Sequence, residues 1–170
     1  MRRVRQAKRV TLTSMVLVFG LLGFAHADGG ERLAELEGQI LVTQDPLPNV
    51  ASPERTIEHF QEHRQDVIVS DDDATRWSFR FMAFMTEEPR TGELSLELYR
   101  ADDDSWVASS RLYASPRMTI LSGRASLSAD DGVEVGLSYK LKLVAERGGE
   151  RVVLAQTRVV TDAPPRLASR

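Results

Sequence analysis

Residues 132–160 have the sequence GVEVGLSYKLKLVAERGGERVVLAQTRVV, and this stretch decides the fold class. Apolar and polar residues alternate from Leu137 to Ala145 and again from Arg151 to Val160, which is the period of strands with one buried face. Gly148 and Gly149 separate the two segments, and a two-residue Gly-Gly connection is typical of a β-hairpin. The stretch therefore predicts two antiparallel strands against which the upstream chain packs.

Five upstream segments also have the composition of strands: residues 39–43, 77–85, 93–100, 105–113 and 118–128. Alternation within the segments predicts that Trp77 and Trp106 face the core, and that Val153 in the hairpin faces it too. With the hairpin this makes about seven strands at spacings of roughly ten to fourteen residues, a pattern that favours a sandwich or barrel over βαβ units. The predicted fold class is all-β and antiparallel.

One short helix interrupts the strands near residues 53–64. Ser52, Pro53 and Glu54 supply a capping hydroxyl, a proline at the first helical position and an acid in the first turn. The apolar side of this helix has only Ile57 and Phe60, so we expect the helix to lie on the surface of a sheet.

Residues 1–27 have the features of a secretory signal peptide. Five basic residues precede an apolar run, and Ala25-His26-Ala27 has the form of a cleavage site. The run is short for a membrane span, which needs roughly 20 apolar residues. We therefore expect export to the periplasm or outside the cell, with an uncleaved N-terminal anchor as the alternative. The remaining chain divides into a polar tether (28–38), a single β-sandwich domain (39–161) and a disordered tail (162–170).

Removal of the signal peptide leaves an acidic chain. Five of the 22 Lys and Arg residues lie in residues 1–27, so 17 remain against 25 Asp and Glu, a net charge of −8. This charge disfavours nucleic-acid binding, which depends on neutralising phosphates with Lys and Arg. The chain has no cysteine, so core packing without disulfides must hold the exported domain together.

The pattern Val133-x-Val135-Gly136-x-x-Tyr139-x-Leu141-x-Leu143 resembles the tyrosine-corner region of fibronectin type III and bacterial Ig-like domains. Val135 stands where that family usually has proline. The resemblance implies a two-sheet sandwich, with the Tyr139 side chain inside and its hydroxyl bonded to upstream backbone. The alternative, that Tyr139 is an ordinary core aromatic residue, is open at this point.

Residues 59–63 match the H-x-x-E-H signature of inverted zinc proteases. Two histidines four residues apart on a helix can share a metal ion while the glutamate polarises water. His59, Glu62 and His63 group together on the predicted helix, but opposite its apolar side and therefore towards solvent. Three interpretations are open: a catalytic zinc site, an adventitious surface metal pair, and a solvated helix face, of which the last is favoured.

Three acidic turns are expected at one end of the domain, because successive antiparallel strands place alternate connections together. Their residues are Asp71, Asp72, Asp73, Asp102, Asp103, Asp104, Asp130 and Asp131. Converging carboxylates from loops could bind calcium, which takes several oxygen ligands. Aspartate is also a favoured turn residue because its side chain bonds nearby backbone, and that interpretation needs no metal.

The sequence thus predicts an exported binding or structural module of the cell envelope, without a catalytic constellation. Its partner would be a protein or another envelope component, and no cofactor is required. The alternatives are a zinc-dependent hydrolase that uses residues 59–63 and a calcium-stabilised adhesion-type module. Trp77 and Trp106 could instead line a sugar-binding surface, although strand alternation favours the core for both.

Overall fold

A computed structural model describes residues 33–48, 52–71 and 73–164 of the chain. The predicted signal peptide, the first part of the tether, Asp72 and the end of the tail lie outside the described residues.

The described fold contains eight strands, one complete α-helix and, ahead of the first strand, helical residues 33–35. The strands are β1 (Ile40–Thr43), β2 (Val67–Val69), β3 (Arg76–Phe84), β4 (Glu93–Arg100), β5 (Trp106–Tyr113), β6 (Ile120–Ser128), β7 (Ser138–Arg147) and β8 (Glu150–Asp162). The helix α1 spans Pro53–Glu62, and a short 3-10 helix, Ala129–Asp131, follows β6. These bounds confirm the all-β prediction, the hairpin and the early helix.

The strands form two sheets. One sheet has three strands in the order β1-β3-β6, and the other has five in the order β2-β8-β7-β4-β5. The pairings between these strands are antiparallel except that of β2, which lies parallel to the end of β8. An isolated parallel bridge also joins Gln39 to Gln156 of β8. The wholly antiparallel prediction was therefore wrong at one edge, because β2 enters after the helix and runs alongside the last strand.

One hydrophobic core joins the two sheets. Trp77, Phe79 and Phe81 of β3 pack in the same buried cluster as Leu96 of β4 and Leu141 of β7. Because every strand must direct its apolar row into this shared space, the alternation of each strand fixes which side chains remain outside.

The corner before β7 confirms the expectation for Tyr139. Its side chain is fully buried, and its hydroxyl oxygen accepts a hydrogen bond of 2.8 Å from the backbone N–H of Glu134. Gly136 adopts a positive φ of 79° in this corner, and its N–H donates to the carbonyl of Thr161. The corner thereby ties the start of β7 to the end of β8.

The helix covers the outer face of the three-stranded sheet at one end. Ile57 and Phe60 are buried in a second cluster with Met82 and Phe84 of β3. The Ser52 hydroxyl caps the helix by accepting from the N–H of Arg55 at 3.3 Å. This end of β3 is apolar on both faces, and the helix therefore shields the outward apolar side chains from water.

Two β-bulges reverse the predicted orientation of side chains on the five-stranded sheet. Leu98 pairs with Ala108 but Tyr99 pairs with Trp106, so Val107 is an extra residue in β5. Leu143 pairs with Ala155 but Val144 pairs with Val153, so Leu154 is an extra residue in β8. An extra residue shifts the alternation by one position and moves the following side chains to the other face.

The core positions predicted for Trp106 and Val153 were therefore wrong. Trp106 is 47% exposed and Val153 is 45% exposed, whereas Trp77 is fully buried as predicted. Their outward position follows from the bulges and not from any polarity of the two side chains. Val107, next to Trp106, packs against the core instead. Leu154, next to Val153, is buried in the core.

Replacing Tyr139 with Phe tests the corner. The substitution leaves the partly buried N–H of Glu134 without its acceptor, and we expect the free energy of unfolding to fall by about 1–3 kcal/mol. Urea unfolding measures the change. The control Tyr113→Phe removes a hydroxyl from a side chain that is 62% exposed, and we expect a change below about 0.5 kcal/mol. Equal effects of the two substitutions would contradict the structural role of the corner.

Candidate binding surface on the five-stranded sheet

Near the two bulges, the outer face of the five-stranded sheet carries polar and aromatic side chains together. Glu97 and Tyr99 point outward from β4 as alternation predicts, and Trp106 joins them from β5. Arg151 reaches the same face from β8 because Leu154 shifts the alternation of that strand. Without that shift Arg151 would lie opposite Arg147, and Val153 would lie opposite the buried Ala145.

Glu97, Tyr99 and Arg151 form a hydrogen-bonded triad on this face. The Tyr99 hydroxyl donates to Oε2 of Glu97 at 2.6 Å, and Nη2 of Arg151 donates both to that Glu97 oxygen and to the Tyr99 hydroxyl oxygen. The two partners cover the Glu97 side chain, which is only 8% exposed although it lies on the outer face. Burial, and then the hydrogen bond to Glu97, raise the pKa of Tyr99.

Further charged groups surround the triad. The ammonium of Lys142 lies 4.3 Å from the centre of the Tyr99 ring, a distance that gives a cation–π contact. Asp104, in the turn between β4 and β5, accepts a hydrogen bond from Lys140 at 2.8 Å. At the other end of β4, Glu93 pairs with Arg111 at 2.8 Å. Of these groups, Lys142 contacts the triad through the Tyr99 ring, and the two ion pairs flank it.

A depression with a volume of about 380 Å³ lies among these side chains. Its lining includes Trp106, Glu97, Arg151, Ser95, Ser109 and Val144. The depression is open to solvent and lined mainly by polar groups, unlike the enclosed apolar pockets that bind most drug-sized ligands. The exposed indole offers an apolar surface, and the carboxylate, guanidinium and hydroxyl groups offer hydrogen bonds beside it.

The structure places the three zinc candidates at the end of α1. The rings of His59 and His63 lie 4.4 Å apart, and Nδ1 of His63 bonds a carboxylate oxygen of Asp45 at 2.8 Å. His59 is half-buried rather than solvent-exposed, and its Nε2 is buried without a hydrogen-bond partner. Glu62 is exposed. The two histidine rings thus come together, but the carboxylate that bonds His63 belongs to Asp45 and not to Glu62.

The acidic turns do lie at one end of the domain, since Arg76 pairs with Ser128 and Arg100 pairs with Tyr139. Most of the carboxylates with a described partner accept hydrogen bonds from backbone N–H groups of their own turns. Asp71 accepts from the N–H groups of Thr75 and Arg76, and Asp103 accepts from that of Ser105.

The remaining acidic side chains of this end differ in their surroundings. Hydrogen bonding to Lys140 lowers the pKa of Asp104, and Asp102 lies 3.5 Å from the guanidinium of Arg100. Burial, and then the charge of Asp130, raise the pKa of Asp131. Across residues 33–48, 52–71 and 73–164, no three acidic or histidine side chains form a group that could hold a metal ion. Asp73 is exposed, and Asp72 is outside the described residues.

Sequence reasoning missed the residues that line the depression. Trp106 was assigned to the core, and neither Glu97 nor Arg151 received a role. The missing signal was the position of the two bulges. Neither bulge is marked by a glycine, because the extra residues are Val107 and Leu154.

Comparisons with family models, with characterised proteins and with solved structures gave no match to this chain. In the described part of the chain, no helix combines the length and the apolar composition that crossing a bilayer requires.

Replacing Arg151 with Met tests the triad. The substitution leaves the nearly buried Glu97 carboxylate with one fewer charged hydrogen-bond donor, and we expect the free energy of unfolding to fall by about 1–3 kcal/mol. The double substitution Glu97→Gln with Arg151→Met removes both charges, and we expect it to recover most of the loss.

Urea unfolding of each variant supplies the measurement, and Arg158→Met is the matched control. Arg158 is also exposed on β8, and we expect its removal to change the free energy of unfolding by less than about 0.5 kcal/mol. The arrangement would be wrong if Arg151→Met were no more costly than Arg158→Met.

Proposed function

We propose that this chain is an exported binding module of the cell envelope, built as a β-sandwich of the Ig or fibronectin type III kind. Its ligand site is the depression beside Trp106, and the ligand is a sugar unit of an envelope glycan. The exposed position of Trp106 next to the Glu97–Tyr99–Arg151 triad carries the proposal. The role proposed is binding and not catalysis.

Strand order and the tyrosine corner support the fold part of the proposal. The first, third and sixth strands share one sheet, and the fourth, fifth, seventh and eighth share the other. Apart from β2, which is added along β8, seven strands thus divide between two sheets, as in seven-stranded sandwiches of the Ig kind. The hydrogen bond from the Glu134 N–H to the Tyr139 hydroxyl is the contact that characterises a tyrosine corner.

The chemistry of the depression supports a sugar as the ligand. A sugar ring has an apolar C–H face that packs on an indole, and hydroxyl groups around its edge that donate and accept hydrogen bonds. Trp106 supplies the indole, while Glu97 and Arg151 supply an acceptor and a donor that are already fixed in position. Groups held in place before binding lose less conformational entropy when the ligand arrives.

The two other proposals are a zinc-dependent hydrolase and a calcium-stabilised adhesion module. The paired rings of His59 and His63 favour zinc, and the common end of the acidic turns favours calcium. Metal analysis of the purified protein separates the three. About one equivalent of zinc supports the hydrolase, calcium supports the adhesion module, and neither metal supports the sugar-binding module.

Replacing Trp106 with Ala tests the ligand site. We expect the affinity for soluble glycan fragments of the envelope to fall by about tenfold or more, as for other central aromatic contacts. Tryptophan fluorescence measures binding directly, because Trp106 is half exposed while Trp77, the second of the two tryptophans, is fully buried. The ligand should shift the emission of Trp106 and leave that of Trp77 unchanged.

Val153→Ala is the matched control. Val153 is 45% exposed and lies opposite Val144 on the same outer face, but the depression does not include it. We expect this variant to bind glycan fragments as the wild type does. Glycan binding that survives the loss of Trp106, or a fluorescence change that persists in Trp106→Phe, would contradict the proposal.

A further inference from the structure

The outer face of the three-stranded sheet carries an arginine pair. Arg80 of β3 lies directly opposite Arg124 of β6, and Ser78 lies opposite Ser126 two residues along the same face. The residues between them in each strand are buried in the core that joins the two sheets. The two arginines and two serines therefore share one outward surface.

Contacts with the protein hold the pair in position. Nε of Arg80 donates to the backbone carbonyl of Asp45 at 3.1 Å, and the Arg80 side chain is half-buried. The hydroxyl oxygens of Ser78 and Ser126 lie 3.2 Å apart. Within residues 33–48, 52–71 and 73–164, no hydrogen bond or ion pair occupies the terminal amino groups of Arg80 or the guanidinium of the exposed Arg124.

No described carboxylate pairs with either arginine. The nearby acid, Asp45, directs its carboxylate to His63. Like charges directly opposite each other on neighbouring strands are destabilising. Consistent with this, burial and then the charge of Arg124 lower the pKa of Arg80.

The lack of a counter-charge is unexpected for this composition. The chain has 25 acidic residues against 22 basic ones, and several of those acids pair with lysine or arginine on the opposite sheet. The arginine pair instead stands beside hydroxyl groups, which donate hydrogen bonds but do not neutralise charge. The surface therefore offers positive charge and hydrogen-bond donors together, which is the chemistry that binds anions.

We propose that Arg80 and Arg124 bind a phosphate-type oxyanion, with the hydroxyls of Ser78 and Ser126 as additional donors. A guanidinium group presents parallel N–H donors that match two oxygens of a phosphate. An anion between the two arginines replaces one repulsion with two attractions. Free phosphate and the headgroup of an anionic lipid share this chemistry. The site lies on the sheet opposite the Trp106 depression and is independent of the function proposed above.

The test is a titration of the purified protein with inorganic phosphate, followed by amide chemical shifts and by the melting temperature. We expect shifts centred on residues 78–80 and 124–126, and a rise in melting temperature. Arg124→Ser should weaken phosphate binding by about tenfold or more. Because it also removes the repulsion, it should not lower the melting temperature in phosphate-free buffer. Arg158→Ser, which removes an exposed arginine from the other sheet, should leave phosphate binding unchanged.

A second arm identifies the source of the phosphate. Binding to phosphatidylglycerol vesicles but not to phosphatidylcholine vesicles, lost in Arg124→Ser, assigns the site to a lipid headgroup. Phosphate binding without vesicle binding assigns it to the free anion. The proposal is overturned if phosphate perturbs Arg124→Ser as it does the wild type, or if neither phosphate nor anionic vesicles perturb the arginine pair.

Discussion

The burial of one aromatic and aliphatic core between two sheets is the constraint on which the rest of this structure depends. Trp77, Phe81 and Tyr139 are fully buried in it, and each can reach it only if its strand keeps the correct face inward. The register of every strand is set in this way, because a slip of one residue would exchange the core face for the solvent face. Both outer surfaces follow from this inner requirement.

The two bulges show how the same constraint produces a candidate site. Val107 and Leu154 are extra residues that stay on the core side, and each shifts the alternation so that the residue before it, Trp106 or Val153, faces outward. Trp106 and Arg151 thereby meet around Glu97 on the surface. Bulges commonly re-aim side chains beside functional sites, and this chain uses two of them for one depression. On the opposite sheet an unbroken register has a different consequence, since it sets Arg80 directly against Arg124.

Much of the fold could be predicted from local patterns, for reasons visible in particular residues. Strand β4 has the predicted bounds because its leucines alternate without interruption, and the helix starts at Pro53 because Ser52 caps it. The pairing of β3 with β6 could not be predicted, since these strands are far apart in the chain and no local pattern links them. The bulges were missed because Val107 and Leu154 look like ordinary strand residues, so the orientation of Trp106 and Val153 was misassigned. The triad was missed as well, because Arg151 reaches the outer face only through the bulge at Leu154.

The most direct test of this account is the pairing of backbone protons across the two bulges, measured by nuclear Overhauser effects in the labelled protein. With both bulges present, we expect cross-strand contacts that pair Tyr99 with Trp106 and Val144 with Val153. Contacts that instead pair Tyr99 with Val107, or Val144 with Leu154, would restore uninterrupted alternation. Such contacts would return Trp106 and Val153 to the core and contradict the central claim.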